Sequence, residues 1–151
     1  MTYEQVMAGF RALVASDFDL NNREAQGAEK LVELTDALMK LPSPERAIPE
    51  LFAVMERLPE SDLGSPGPLV HTLERLRSYE EELATSVHRR PTTLSVWMVN
   101  RILNTDLPVE LRQRYMELLR DAEAHAEATQ SVREDARDFL ELQKRKANGR
   151  G

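Results

Sequence analysis

Residues 90–104 read R-P-T-T-L-S-V-W-M-V-N-R-I-L-N, and this stretch decides the fold class. Pro91 ends any preceding helix, because proline disfavours a helical conformation in the residue before it. Thr92 or Thr93 then offers a side-chain oxygen that can cap a new helix. The apolar residues that follow recur at helical spacing: Leu94, Trp97, Met98, Ile102 and Leu103. The stretch is therefore predicted to be the most apolar and central helix of an all-α protein, with Trp97 in its core.

On both sides of this stretch, apolar residues recur every three or four positions, and no run of residues alternates as a half-buried strand would. Seven helices are predicted, with short polar or Pro/Gly-containing linkers between them. Their start signals are Thr2, Asn21 or Asn22, Ser43, Pro68, Thr92 or Thr93, Asp106 and Ser131. The sequence predicts an all-α fold of antiparallel helices, as an irregular bundle or a short stack of helical hairpins.

Three details of these helices can be compared with a structure. The fourth predicted helix runs without a break from Pro68 to Arg89. The sixth and seventh are separated between Ala122 and Ala128, although this segment contains no Pro or Gly and one continuous helix is the alternative. Gly27 lies inside the second predicted helix, where glycine costs about 1 kcal/mol relative to alanine. A close contact is expected there.

Length and composition favour a single domain. The chain has 151 residues, of which 41% are hydrophobic and 30% charged, so it can bury a core. The predicted domain covers residues 1–146, and residues 147–151 are predicted to be a flexible basic tail.

The charge and the N-terminus exclude several classes of protein. A net charge of -6 argues against nucleic-acid binding, which depends on Lys and Arg neutralising phosphates. No apolar run approaches the ~18 residues that a membrane span needs. The first residues lack the basic start and apolar run of a signal peptide, and the chain has no Cys. These features predict a cytoplasmic protein that binds neither nucleic acid nor membrane.

Catalytic chemistry is not indicated. His71, His88 and His125 lie on different predicted helices or helix ends, and no nucleophile motif or phosphate-binding loop occurs. We expect neither enzymatic activity nor a bound metal or cofactor. The alternative is a divalent-metal site formed by Glu117, Asp121 and His125, whose four-residue spacing places them on one face of a continuous helix.

Acidic residues are concentrated in the C-terminal half. From Asp106 to Glu141 there are ten acids and five Arg. Such a stretch is either a pair of solvated helix faces or a surface that attracts a basic partner and speeds its association. On the second interpretation, the candidate partner-binding residues are Glu74, Glu81, Asp106, Glu110, Glu117 and Asp121.

The turn at Gly64 to His71, G-S-P-G-P-L-V-H, together with residues 90–104, resembles a family of small all-helical immunity proteins encoded beside bacterial polymorphic toxins. About forty residues carry the resemblance. It implies a cytoplasmic protein that binds one cognate toxin domain and blocks its active site or its access to substrate. The acidic stretch favours a basic toxin, such as a nuclease. The alternative is a helical adaptor that binds a peptide or an endogenous protein, and the oligomeric state is not predicted.

Overall fold

The computed structural model describes residues 1–149, which form eight α-helices and two short 3-10 helices, with no strand in this range. The all-α class is confirmed. The α-helices are α1 (Tyr3–Ala12), α2 (Gly27–Met39), α3 (Ile48–Arg57), α4 (Gly67–Leu76), α5 (Glu80–Arg89), α6 (Thr93–Leu103), α7 (Val109–Ala124) and α8 (Gln130–Gly149), and the 3-10 helices are Ala15–Phe18 and Pro44–Ala47.

Contacts within the chain divide it into two compact units, residues 1–82 and 83–151, and the division falls inside α5. The single domain of residues 1–146 stays a prediction. The basic tail was predicted to begin at residue 147, but α8 continues to Gly149. The flexible basic tail stays a prediction. Residues 150 and 151 of the predicted tail lie outside the described residues.

In the first unit, α1 packs against α2 and α3, and α2 and α3 each contact α4. The predicted cap of α1 is confirmed, since the Thr2 hydroxyl accepts the Gln5 N–H at 3.1 Å and the Gln5 side chain accepts the Thr2 N–H at 2.8 Å. Arg57 of α3 donates to the carbonyls of Phe10 and Leu13 at 2.9 and 3.1 Å. It thereby pairs the Leu13 carbonyl just past the end of α1 and adds a second bond to the Phe10 carbonyl, which also accepts the Leu13 N–H at 3.3 Å.

Gly27 makes the close contact that its position predicted. A Cβ atom there would lie 2.6 Å from the carbonyl oxygen of Asp17 and 2.6 Å from the ring of Phe18. However, Gly27 begins α2 rather than lying inside it. The predicted start at Asn21 or Asn22 is too early, because the Asn22 side chain accepts the Glu24 N–H at 3.1 Å in a local turn.

The fourth predicted helix is divided in two, so its continuity is wrong. Arg77 adopts a left-handed conformation with φ of 69° after the last residue of α4, and α5 begins three residues later at Glu80. This turn was not predictable from the sequence, because the residues that form it include neither Gly nor Pro. Ser43 is also left-handed, with φ of 51°, and its hydroxyl makes no capping bond. The helix start predicted at Ser43 is therefore too early: the 3-10 helix Pro44–Ala47 follows Ser43, and α3 begins at Ile48.

In the second unit, α6 packs against α7 and α8, which also pack against each other. Thr92 is the residue that caps α6, since its hydroxyl accepts the Ser95 N–H at 3.2 Å. Trp97 is only partly buried, and the guanidinium of Arg101 lies 6.0 Å from the centre of its ring. The predicted core position of Trp97 is therefore corrected to the margin of the core. Its neighbours one turn away, Thr93 and Arg101, are both exposed.

The break between the sixth and seventh predicted helices is confirmed, as α7 ends at Ala124 and α8 begins at Gln130. His125 holds this turn: its Nδ1 accepts the Glu127 N–H at 2.9 Å, and its Nε2 donates to the carbonyl of His88 at 2.7 Å. The hydroxyl of Thr129 accepts the Val132 N–H at 3.3 Å. Thr129 therefore takes the capping role predicted for Ser131.

Candidate partner-binding surface

Three of the predicted acidic residues lie together on one exposed face of α7. The inner side of this helix is formed by Tyr115, Leu118, Leu119 and Ala122, which are all buried. Glu110, Glu117 and Asp121 follow one another at spacings of seven and four residues, so they share a face turned away from the buried side. We call these three residues the α7 acidic face.

Two of these acids contact basic side chains at the surface. Glu117 contacts Arg120 at 2.7 Å, and Asp121 lies 3.2 Å from the ring nitrogen of His88. Exposed pairs of this kind contribute only about 0–1 kcal/mol to stability. These contacts orient the two carboxylates. Because each contact is weak, another cation can displace Arg120 or His88 at little cost in free energy. The α7 acidic face therefore remains available to a cation from another molecule.

The other three predicted contacts are more scattered. Asp106 is exposed in the turn before α7, within the second unit. Glu74 in α4 is half-buried and Glu81 in α5 is exposed; both belong to residues 1–82. Each of these two also contacts another residue of the chain. The structure thus groups Asp106 with the α7 acidic face in one unit and places Glu74 and Glu81 in the other.

A second set of acids on α8 was counted in the acidic stretch but not selected as candidate contacts. Glu134, Asp138 and Glu141 are exposed, and their spacings of four and three residues place them on one face. Asp135 lies beside them and is half-buried. Burial raises the pKa of the Asp135 carboxyl, and the negative charges of Asp138 and Glu134 raise it further. Like charges are therefore crowded together on α8.

Replacing Asp135 with asparagine should stabilise the protein at neutral pH. The folded state raises the pKa of Asp135 above its ordinary value of 3.8. The protonated carboxyl therefore contributes to the stability of the protein below pH 3.8, and this contribution is lost as the pH rises through the pKa of the folded state. Asp135→Asn should therefore have a higher Tm than the parent at pH 7, and the difference should vanish near pH 3. Thermal unfolding at both pH values measures this. Glu141→Gln, on the same helix, is the control for removing an exposed carboxylate, and an equal gain in that variant would contradict the prediction.

The arrangement assumed for a metal site is not present. Glu117, Asp121 and His125 would share a face only on a continuous helix, but α7 ends at Ala124 and both ring nitrogens of His125 bind the backbone. Within residues 1–149, no group of three His, Cys, Asp or Glu side chains is arranged to hold a metal ion.

A buried polar network joins the three helices of the second unit. Gln143 of α8 is 1% exposed. Its amide group donates to the side-chain oxygens of Asn100 and Asn104 in α6 and its cap, at 2.8 and 2.9 Å. Arg112 of α7 donates to the Gln143 oxygen at 3.4 Å and to the carbonyl of Leu103 at 2.9 Å. The network satisfies every hydrogen-bonding group of the Gln143 amide and fixes α6, α7 and α8 to one another.

The sequence analysis missed this network, although a signal was present. Val132, Ala136 and Leu140 form the inner stripe of α8, and Gln143 continues it at the next helical position. A polar residue at a core position needs hydrogen-bonding partners. The partners themselves were not identifiable, since they lie more than thirty residues away in the chain.

Comparison of the chain with protein-family models, with curated proteins and with solved structures finds no match. The resemblance to immunity proteins stays a prediction carried by the turn at Gly64–His71 and by residues 90–104. Among residues 1–149, no helix has the length and apolar character needed to cross a membrane.

Proposed function

We propose that the protein is an immunity protein that binds a basic toxin domain through the α7 acidic face and neutralises it by covering its functional surface. The observation that carries the proposal is the exposure of Glu110, Glu117 and Asp121 on one side of a helix whose other side is buried. The proposal also includes the finer arrangement predicted for the helices, an antiparallel bundle or hairpin stack, and a cytoplasmic location.

The α7 acidic face is held in place before any partner arrives. The Gln143 network and the packing of α6, α7 and α8 fix the helix that carries it. Binding to such a surface orders few groups, so little conformational entropy opposes association. A rigid acidic face would also attract a basic partner from a distance and raise the association rate.

The crowded acids of α8 add a second reason to expect a basic partner. The raised pKa of Asp135 reflects repulsion from Asp138 and Glu134 as well as burial. A Lys or Arg from a partner placed near these carboxylates would relieve the repulsion and favour binding. Arg137 of α8 pairs with Glu123 of α7 at 3.0 Å, which links the two helices at the surface.

Reversing the charge of the α7 acidic face should abolish most of the binding. The triple variant Glu110→Lys, Glu117→Lys, Asp121→Lys should slow association with the toxin domain encoded by the neighbouring gene by about tenfold or more at low salt. Surface plasmon resonance at low and high salt measures the rate. Survival of cells that co-express the toxin domain measures protection.

A matched control is available on α2. Glu29, Glu33 and Asp36 are exposed and share one helix face, so converting all three to lysine changes the net charge by the same amount. This control should bind and protect like the parent. Equal losses in both triple variants would show that net charge alone matters, and full protection by the α7 variant would show that another surface binds. Both variants must retain the parental circular dichroism spectrum.

A further inference from the structure

A cavity of about 230 Å³ opens at the α7–α8 side of the second unit, and two cations line it. Its lining residues are Arg112, Gln143, Lys146 and Ala147. A water molecule occupies about 30 Å³ of the liquid, so the cavity has room for a group the size of phosphate. It lies among basic side chains in a protein whose net charge is -6.

The two cations are held by uncharged groups. Arg112 donates to the oxygen of Gln143 and to the carbonyl of Leu103, and Lys146 donates to the side-chain oxygen of Asn104 at 2.7 Å. Neither cation pairs with a carboxylate anywhere in residues 1–149. Within the described chain, no carboxylate therefore lies within ion-pairing distance of either charge.

Within the described residues, some N–H groups of both cations have no protein acceptor. The guanidinium uses two of its N–H groups on protein oxygens, and the ammonium uses one. Both cations are anchored to the same buried network, since Gln143 bonds Arg112 through its oxygen and Asn104 through its nitrogen. Two positive charges are therefore held at the cavity by residues of three helical segments.

We propose that this cavity binds an oxyanion, a phosphate or a carboxylate group, between Arg112 and Lys146. An anion placed there would compensate both charges and accept the donors that the protein leaves unused. The group could be carried by a free small molecule or by the side chain of a bound protein, and the chemistry of recognition is the same. The proposal does not depend on the identity of the partner bound by the α7 acidic face.

Inorganic phosphate is the probe for this site, and the side-chain amide signals of Gln143 in ¹H–¹⁵N NMR spectra are the local readout. Phosphate titrated at constant ionic strength should shift these signals and saturate. Lys146→Gln should weaken the apparent affinity by about tenfold, because it removes a charge-assisted hydrogen bond. Lys146→Arg keeps the charge and should retain most of the binding.

Lys144→Gln is the matched control, since Lys144 is exposed on the same helix and does not line the cavity. It should bind phosphate like the parent. A parallel titration with acetate separates the two chemistries: saturation with acetate alone would assign the site to a carboxylate. The proposal is overturned if neither phosphate nor acetate produces a saturable shift of the Gln143 signals, or if chloride produces the same shift. It is also overturned if Lys146→Gln and Lys144→Gln lose affinity equally.

Discussion

Truncation of Phe52 to alanine is expected to lower the free energy of unfolding by about 3–5 kcal/mol. Phe52 lies in α3 and is 0% exposed, so removal of its ring leaves a cavity enclosed by the core of the first unit. Domains of this size have a total stability of about 5–15 kcal/mol, and the loss is a large part of it. Urea denaturation followed by circular dichroism gives the change directly.

Phe18→Ala is the matched comparison, because it makes the same truncation in the same unit at a partly exposed ring. Its loss should be smaller, about 1–3 kcal/mol, since water can reach the space that the ring vacates. Equal losses in the two variants would contradict the burial of Phe52.

Trp97 is the only tryptophan of the chain and lies in the second unit, so its fluorescence reports the unfolding of that unit separately. Coincident fluorescence and circular dichroism transitions would support the predicted single domain.

Replacement of Gln143 with leucine should destabilise the second unit by about 1–3 kcal/mol, although leucine is the more hydrophobic residue. The substitution removes the donor that satisfies the side-chain oxygen of Asn100 and one of the two donors to that of Asn104, which keeps its bond from Lys146. Asn100 is 5% exposed, so its oxygen cannot regain a bond from bulk water. The change is measured by urea denaturation with Trp97 fluorescence.

The double variant Asn100→Leu, Gln143→Leu provides the decisive comparison. It replaces both partners of the buried bond with apolar groups, which removes the unsatisfied oxygen of Asn100. It should therefore recover much of the stability lost in Gln143→Leu, giving a non-additive double-mutant cycle. Strictly additive losses would show that the bond between these two residues does not hold the helices together.

The local features of the chain were predictable because they depend on neighbours in sequence. The capping box at Thr2, the cap at Thr92 and the apolar stripe of α6 require only residues within one or two helical turns. The face shared by Glu110, Glu117 and Asp121 also follows from helical geometry once α7 is recognised. The two caps were correctly located, whereas Trp97 and Ile102 of the predicted α6 stripe are only partly buried.

Two features that the sequence analysis missed are the turn at Arg77 and the position of Trp97 at the margin of the core. In the turn after α4, Arg77 adopts a left-handed conformation although it is not a glycine, and the local sequence pattern did not predict this. The position of Trp97 at the margin of the core depends on which side of α6 meets α7 and α8. A helical pattern shows that apolar residues are buried together, but it does not show which of several apolar residues lies at the edge.

The sequence by itself therefore determined the all-α class, the caps at Thr2 and Thr92 and the grouping of acids on α7. Only the tertiary structure decided that Arg112, Gln143 and Lys146 meet around one cavity, because Gln143 and Lys146 have their partners in α7 and in α6 and its cap, more than thirty residues away. Helical periodicity acts over a few residues and can be read directly. Hydrogen bonds between helices depend on how complete helices pack, and that packing is set by the whole core at once.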